Sequence, residues 1–432
     1  MTIRNFFLPF LLTIAFAAFA QEKVAIASAA MTVDAAVQYA LKNNPTIIKA
    51  QQDLVTAEIQ LKTANIGNDF KVTVNGQAGV SKTDSVKGIG YGVGLQTVVN
   101  RPLWPKSQFN APITIAEASL TVAKESLRRS KQQVAFNVRQ AYYQLISTRE
   151  LANVADEALK IANKQLELAI AGIKAGNKAK IDEYQATAAV ADAEVNKMKA
   201  QNAVDLAGAA LANQMGMLPD AVVELVTPED PAPAPDTIDP LIADAKKNRP
   251  EAVQFTNRKA ILDAGIELAK LNKKVIISGL SLITLPPFMG VKVKNVTQGP
   301  YGPASIQLGI VASLSAYNGG KNDNDVAIAE NQREMLETQI NQFNLGVALE
   351  VRSAWLNLKN AQQQKISAQK QLAAANESYR IAELRYVNGE GISLEVDQAR
   401  LFLTSAKTSI VQATLQAQIA TAQLLLAVGS EK

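Results

Sequence analysis

Two carboxylates stand at matching places in this chain. Asp182 follows Gly176 by six residues and Glu395 follows Gly389 by six, with Gln185 and Gln398 each three further on. Acids in pairs can exchange protons with a substrate, hydrolyse a glycoside across a cleft, or attract cations. The rest of the composition removes most other chemistry. There is no histidine and no cysteine, so histidine-based triads, thiol nucleophiles and His/Cys metal centres are absent. A hydrolase would need its two acids facing each other across a cleft, and nothing in the sequence marks such a pair. No catalytic residue, metal site or cofactor is therefore assigned. Formal net charge is +5, but Lys and Arg are interspersed with Asp and Glu throughout. The densest basic run, Arg128-Arg129-Ser130-Lys131, has no aromatic platform beside it and reads as a solvated helix face, not as a nucleic-acid surface.

The matching positions arise because the chain is written twice. Val138-Arg139-x-Ala141 returns as Val351-Arg352-x-Ala354, Gly176 as Gly389, and Met215-Gly216 as Val428-Gly429, each 213 positions later. A register held without insertion over roughly eighty residues predicts helices packed lengthwise, because one inserted residue rotates every later side chain off its face. No proline falls between Pro112 and Pro219 or after Pro303, and these stretches are rich in strong helix formers. Val134, Val138, Ala141 and Leu145 recur at 4-3-4 spacing, and Val347, Val351, Ala354 and Leu358 repeat it. That is a seam for nearly parallel, coiled-coil packing. Each copy reads as two long helices with a tight turn at Gly176 or Gly389, the glycine supplying left-handed backbone. A first helix over about residues 111–175 would be roughly 100 Å long.

Upstream of each helical pair the period changes from 3.6 to 2. Phe70, Val72, Val74, Gly76, Ala78 and Val80 alternate with Lys71, Thr73, Asn75 and Gln77. Ile89, Tyr91, Val93 and Leu95 then alternate with Gly88, Gly90, Gly92 and Gly94, glycines that lack the spacing of a phosphate loop and belong on one strand face. The second copy gives a blurred strand over residues 275–285 and a cleaner one carrying Ala304, Ile306, Leu308 and Ile310. Strands of about ten residues with one apolar and one polar or small face match membrane-barrel strands, or a soluble hairpin buried on one face. The opening helices also correspond, Thr32-Val33-Asp34 to Thr237-Ile238-Asp239 and Asn44-Pro45 to Arg249-Pro250, but 205 positions apart. The difference of eight falls most naturally in residues 286–302, an exposed connection.

The resulting division is a signal peptide at 1–20, a first repeat at 21–230, a Pro-rich linker at 231–236 and a second repeat at 237–432. The repeats contain β-hairpins at 70–104 and 274–315 and long helical hairpins at 110–217 and 322–430. Arg4, an apolar run from Phe6 to Phe19 and Ala18-Phe19-Ala20 carry the export reading, the run being short of the ~20 residues of a spanning helix.

Several motifs in this order resemble the TolC-type outer-membrane efflux proteins. Arg385-Tyr386-x-x-Gly389-x-x-Ser393-x-Glu395-Val396-x-Gln398-Ala399 resembles the family's second hairpin turn, and Thr32-Val33-Asp34-x-Ala36 through Asn43-Asn44-Pro45 its opening helix. Pro102-Leu103-Trp104 with the alanines from Ala111 to Ala118 resembles its strand-to-helix junction, and Tyr317-Asn318-Gly319-Gly320 is the second-copy equivalent. The family usually has a glycine-containing turn where this chain reads Pro102-Leu103-Trp104-Pro105-Lys106-Ser107.

The resemblance implies an α+β membrane protein in which long helical hairpins form a periplasmic α-barrel joined to a transmembrane β-barrel. Each chain of a homotrimer would give four strands to one twelve-stranded barrel, since four strands cannot close around a pore. It implies a passive exit duct of a tripartite efflux pump or type I secretion system in the outer membrane of a Gram-negative bacterium, embedded in outer-membrane lipid and reaching into the periplasm. Its partners would be a periplasmic adaptor (membrane fusion) protein and an inner-membrane transporter of RND, ABC or MFS type. It would be no enzyme and bind no nucleic acid. The alternative, a structural periplasmic coiled-coil tether or adaptor, is opposed by the alternating strands. The resemblance puts Asp182, Glu395, Gln185 and Gln398 at the narrow periplasmic aperture, with Lys178, Lys180 and Arg385 as partners. The turns Ala175, Gly176, Asn177 and Lys178, and Asn388, Gly389, Glu390 and Gly391, become the candidates for adaptor contact.

Overall fold

A computed structural model describes residues 30–67, 69–81, 90–176, 178–221, 223–230, 232–293, 296–298, 305–314 and 318–430. The signal peptide, Asn177 and most of the connection beyond residue 293 lie outside the described residues. The first half runs α1 (Val33–Asn43), α2 (Pro45–Ile66), β1 (Lys71–Ser81), β2 (Gly90–Trp104), α3 (Ser107–Lys174) and α4 (Lys180–Met215). The second runs α5 (Asp239–Asn248), α6 (Pro250–Leu271), β3 (Ile276–Val293), β4 (Val296–Gln298), β5 (Ser305–Ser313), α7 (Lys321–Val387) and α8 (Ser393–Val428). The protein is mostly helical, with one small sheet.

The long helices match in length. α3 has 68 residues and α7 has 67, and α4 and α8 have 36 each. At 1.5 Å per residue α3 spans roughly 100 Å. It starts at Ser107, ahead of Pro112, which lies early enough in the helix that its missing N–H costs one bond near the end. The short return helices end on left-handed glycines, Gly216 at φ +79° and Gly429 at φ +77°. Above each end sits a corner with Pro at the first helical position, Asn44-Pro45 or Arg249-Pro250, where proline is tolerated because no partner awaits its N–H.

The second-copy seam is buried throughout: Val347, Val351, Ala354 and Leu358 are all at most 2% exposed. In the first copy Val134, Val138 and Leu145 are buried, but Ala141 is only half-buried and Tyr142 takes the fully buried place. The cause is polar. The Tyr142 hydroxyl lies 2.5 Å from the Val226 carbonyl oxygen and 2.8 Å from that of Met31, so the ring is drawn inward beneath the bridge that pairs Met31 with Leu225. Trp355 occupies the equivalent position in α7 and turns its Nε1–H to the Pro235 carbonyl at 2.7 Å. Residues 232–235 thus lie along α7, held also by Gln362, which accepts from Ala234 N at 3.1 Å and donates to the Ala232 carbonyl at 2.9 Å.

The sheet is antiparallel, in the order β1-β2-β3, with β4 and β5 following one another along the far side of β3. Among the described residues, β1 and β5 are left as edges of the sheet. Phe70, Val72 and Val74 at one edge and Ile306, Leu308 and Ile310 at the other are all exposed. One expectation needs correction. β3 runs on through Val293, so residues 286–293 are strand and not loop. The prolines are accommodated by a bulge: Leu285 pairs with Leu95 and Phe288 with Val93, which sets Pro286 and Pro287 together against Gly94. Residues that cannot donate to a ladder are tolerated at such an irregularity.

Below the sheet, α3 packs against α4 on one side and against α6 and α8 on the other, with α2 alongside its upper part and α7 beyond α6 and α8. The helices form one layer, with α2 and α4 at one margin and α7 at the other. α4 and α7 are not packed along each other.

Candidate functional site

The two hairpin tips meet within the chain. α3 ends at Lys174 and is capped by Ala175, after which Gly176 at φ +80° turns the chain toward α4. α7 ends at Val387, and Gly389, also at φ +80°, makes the corresponding reversal. No atom crowds either glycine, so the requirement is the backbone conformation and not space. In the second turn the N–H groups of Glu390 and Gly391 both donate to the Arg385 carbonyl, at 2.9 and 3.0 Å. A β-carbon on Gly391 would stand 3.2 Å from Arg385 Cβ, so this glycine serves a close approach.

Asp182 and Glu395 occupy the first turns of α4 and α8, where a carboxylate is favoured by the helix dipole. Their partners differ. Ser393 Oγ donates to Asp182 Oδ1 at 3.1 Å, a bond between the two hairpins. Glu395 instead pairs with Arg385 of its own hairpin, Nη1 to Oε2 at 3.3 Å. Both side chains of that pair are about half exposed, so it is worth at most about 1 kcal/mol. Lys178 places its ammonium 3.3 Å from the centre of the Tyr386 ring, a second link between hairpins. Burial pushes the Tyr386 hydroxyl above its ordinary pKa, and the charges of Asp182 and Asp397 act in the same direction. Burial lowers Lys178, with Asp182 opposing it. A cavity of about 20 Å³ lies among Asp182, Tyr386, Ser393, Asp397 and Gln165, and the buried Gln165 Nε2 has no acceptor among the described residues.

The other sequence candidates are more solvated. Gln185, Gln398 and Lys180 are exposed, and Lys180 makes no ion pair among the described residues. Ala175, Gly176, Asn388, Gly389 and Glu390 are exposed at the tips, and Gly391 is half-buried. The geometry thus gathers Lys178, Asp182, Tyr386 and Ser393 in one cluster and Arg385 with Glu395 in another. No hydrogen bond or ion pair joins Asp182 to Glu395. Tyr386 and Ser393 were not among the candidates. Ser393 stands 213 positions after Lys180, so the departure between copies was the signal for it. The arrangement can bind tip to tip, and it gathers Asp182 and Asp397 around one small cavity.

The chain matches the family described as Outer membrane efflux protein over residues 36–217 and 291–430. It is 23% identical over 339 residues to the outer membrane efflux protein BepC of Brucella suis biovar 1, covering 78% of this chain and 72% of that one. Its structure is similar to that of the outer membrane protein VceC of Vibrio cholerae, with a TM-score of 0.77 at 17% identity over 92% of this chain and 96% of VceC. The open state of the MtrE outer membrane channel of Neisseria gonorrhoeae is similar with a TM-score of 0.72 at 17% identity, over 92% and 89% of the two chains. At such identities the structural likeness speaks for the fold.

Proposed function

The chain belongs to the outer membrane efflux protein family, and from that premise we propose that it is the outer-membrane exit duct of an efflux pump, closed as a ring of three chains. One observation carries the ring. Within the chain, α3 of the first copy packs on α8 of the second, while the equivalent pairing by the repeat, α7 on α4, is not made. Its faces are left bare. Leu345 and Leu349 of α7 are 74% and 70% exposed, whereas their first-copy counterparts Gln132 and Phe136 are half-buried against α8. On α4, Leu206 and Met198 are 73% and 63% exposed, whereas the equivalent Ile419 and Val411 of α8 are half-buried. A head-to-tail contact between α7 of one chain and α4 of the next covers both, and such heterologous contacts close into rings. The same step joins the β5 edge of one sheet to the β1 edge of the next, as strands in lipid require.

The passage is passive and needs no catalytic group; the energy comes from an inner-membrane transporter reached through a periplasmic adaptor, for which the exposed tips at Gly176 and Gly389 are the contact. The repeat also supports a reading of the aperture. Ser393 rests on Asp182 within a chain, so one step around the ring sets Lys180 of the next chain on Glu395. Three hydrogen bonds and three ion pairs then alternate around the opening, and the acids favour cations. Replacing Asp182 and Glu395 by Lys is expected to widen the single-channel conductance in planar bilayers and reverse its cation preference. An unchanged conductance and reversal potential would remove the gate from these residues.

A further inference from the structure

The basic run on α3 has a use that the duct does not absorb. A cavity of about 730 Å³ opens between α1, α3 and α8, on the side of α3 opposite the uncharged groove that α3 forms with α7 and α8. Its floor is apolar, formed by Val37, Leu41, Leu127, Phe136 and Leu425. Among the described residues its rim carries Lys124, Arg128, Lys131 and Arg139, with Asp34 as the one lining carboxylate. Arg139 pairs with Asp34 at 3.7 Å and Arg128 with Glu125 at 3.2 Å. Lys124 and Lys131 are exposed and make no ion pair among the described residues.

The second copy is an internal control. The residues 213 positions after Lys124, Arg128 and Lys131 are Glu337, Asn341 and Asn344, while Arg139 and Asp34 keep their counterparts in Arg352 and Asp239. The long helix therefore forms and packs on α8 without the three cations, so its hairpin does not account for them. We propose that this cavity is a docking site for an acidic peptide segment of a periplasmic partner protein, with apolar side chains set among its carboxylates. Charge complementarity selects an anion, and the apolar floor selects one that brings hydrophobic side chains, which a sulfated or phosphorylated polymer lacks. A lipid headgroup is too far away: Lys124 lies 17 residues beyond Ser107, the start of α3, roughly 26 Å along the helix from the sheet, beyond the headgroup layer. The inference rests on the helices standing in the periplasm, but binding is readable in detergent whether or not the protein conducts.

The test uses the purified full chain and a fluorescein-labelled peptide of alternating Leu and Glu, followed by anisotropy, with dextran sulfate as a polyanion without apolar side chains. Lys124→Glu with Lys131→Asn installs the residues that the second copy carries at those positions. The expected result is peptide binding that weakens about tenfold or more in the double variant, and that weakens likewise for the unaltered chain when salt rises from about 0.05 M to about 0.5 M. The salt arm stands even where the variant misfolds. No peptide binding, binding indifferent to both changes, or equal binding of dextran sulfate with the same loss would overturn the assignment.

Discussion

The corner between α1 and α2 is built on Asn44, and the corresponding corner between α5 and α6 on Arg249. Both close the same gap, where a return helix ends beside the corner and leaves a carbonyl without a helical partner. Asn44 Nδ2 donates to the Gln214 carbonyl at 2.7 Å, and its Oδ1 accepts from Thr46 N at 2.8 Å, capping α2 as well. Arg249 Nε donates to the Ala427 carbonyl at 2.8 Å, and its Nη2 reaches Glu350 of α7 at 2.8 Å. Arg249 cannot cap α6, which begins without a side-chain bond. A β-carbon on Gly216 would fall 2.6 Å from the Asn43 carbonyl oxygen, and one on Gly429 3.0 Å from Arg249 Cγ, so both corners press on a glycine. The repeat preserves a connection and lets the chemistry change. The second corner gains a tie to the long helix; the first gains a helix cap.

The margins of the layer are the largest difference between copies. Leu345→Asp with Leu349→Asp should abolish the trimer on native gels and in cross-linking, whereas Gln132→Asp with Phe136→Asp, at the equivalent places inside the chain, should lower stability without changing the oligomeric state of what folds. Identical behaviour of the two pairs would refute the α7-to-α4 closure. The corners come next. Arg249→Ala leaves a buried carbonyl and strips Glu350 of its partner, costing about 2–3 kcal/mol, while Asn44→Ala costs about 1–2 kcal/mol for a lost cap and bond. Thermal melts of the detergent-solubilised protein should rank them in that order, and the opposite order would show that the cap outweighs the tie. The aperture is expected to respond least in stability. Lys180→Ala removes an ion pair, with charge on both partners, and Ser393→Ala a hydrogen bond with charge on the Asp182 acceptor alone, so the first should raise open-channel conductance more than the second. Equal effects would mean that the two kinds of contact do not alternate.

The repeat made much of this visible beforehand. Helix lengths, tip glycines and the buried second-copy seam follow from periodicity and an unbroken offset. Tyr142 did not, because its burial depends on carbonyls of Met31 and Val226 that lie far away in sequence. Pro286 and Pro287 read as loop because proline normally ends a strand, and the bulge against Gly94 is a property of two strands together. At the tips the repeat aligned Asp182 with Glu395 as equivalents, but the contact joins Asp182 to Ser393, which are not equivalent. Symmetry identifies corresponding positions; it says nothing of which of them touch until the rotation between copies is known.

The two bare sheet edges have a genetic consequence. Each chain carries a β1 edge and a β5 edge, separated in the sheet by β2 and β3. In the proposed ring of three, a chain damaged at β5 would still enter assembly through an intact β1 and spoil the ring it joins. With damaged and sound chains made in equal amounts, only roughly one ring in eight is wholly sound. Lesions confined to one edge are therefore expected to be dominant, while lesions that unfold the whole chain, and so keep it out of assembly, are recessive.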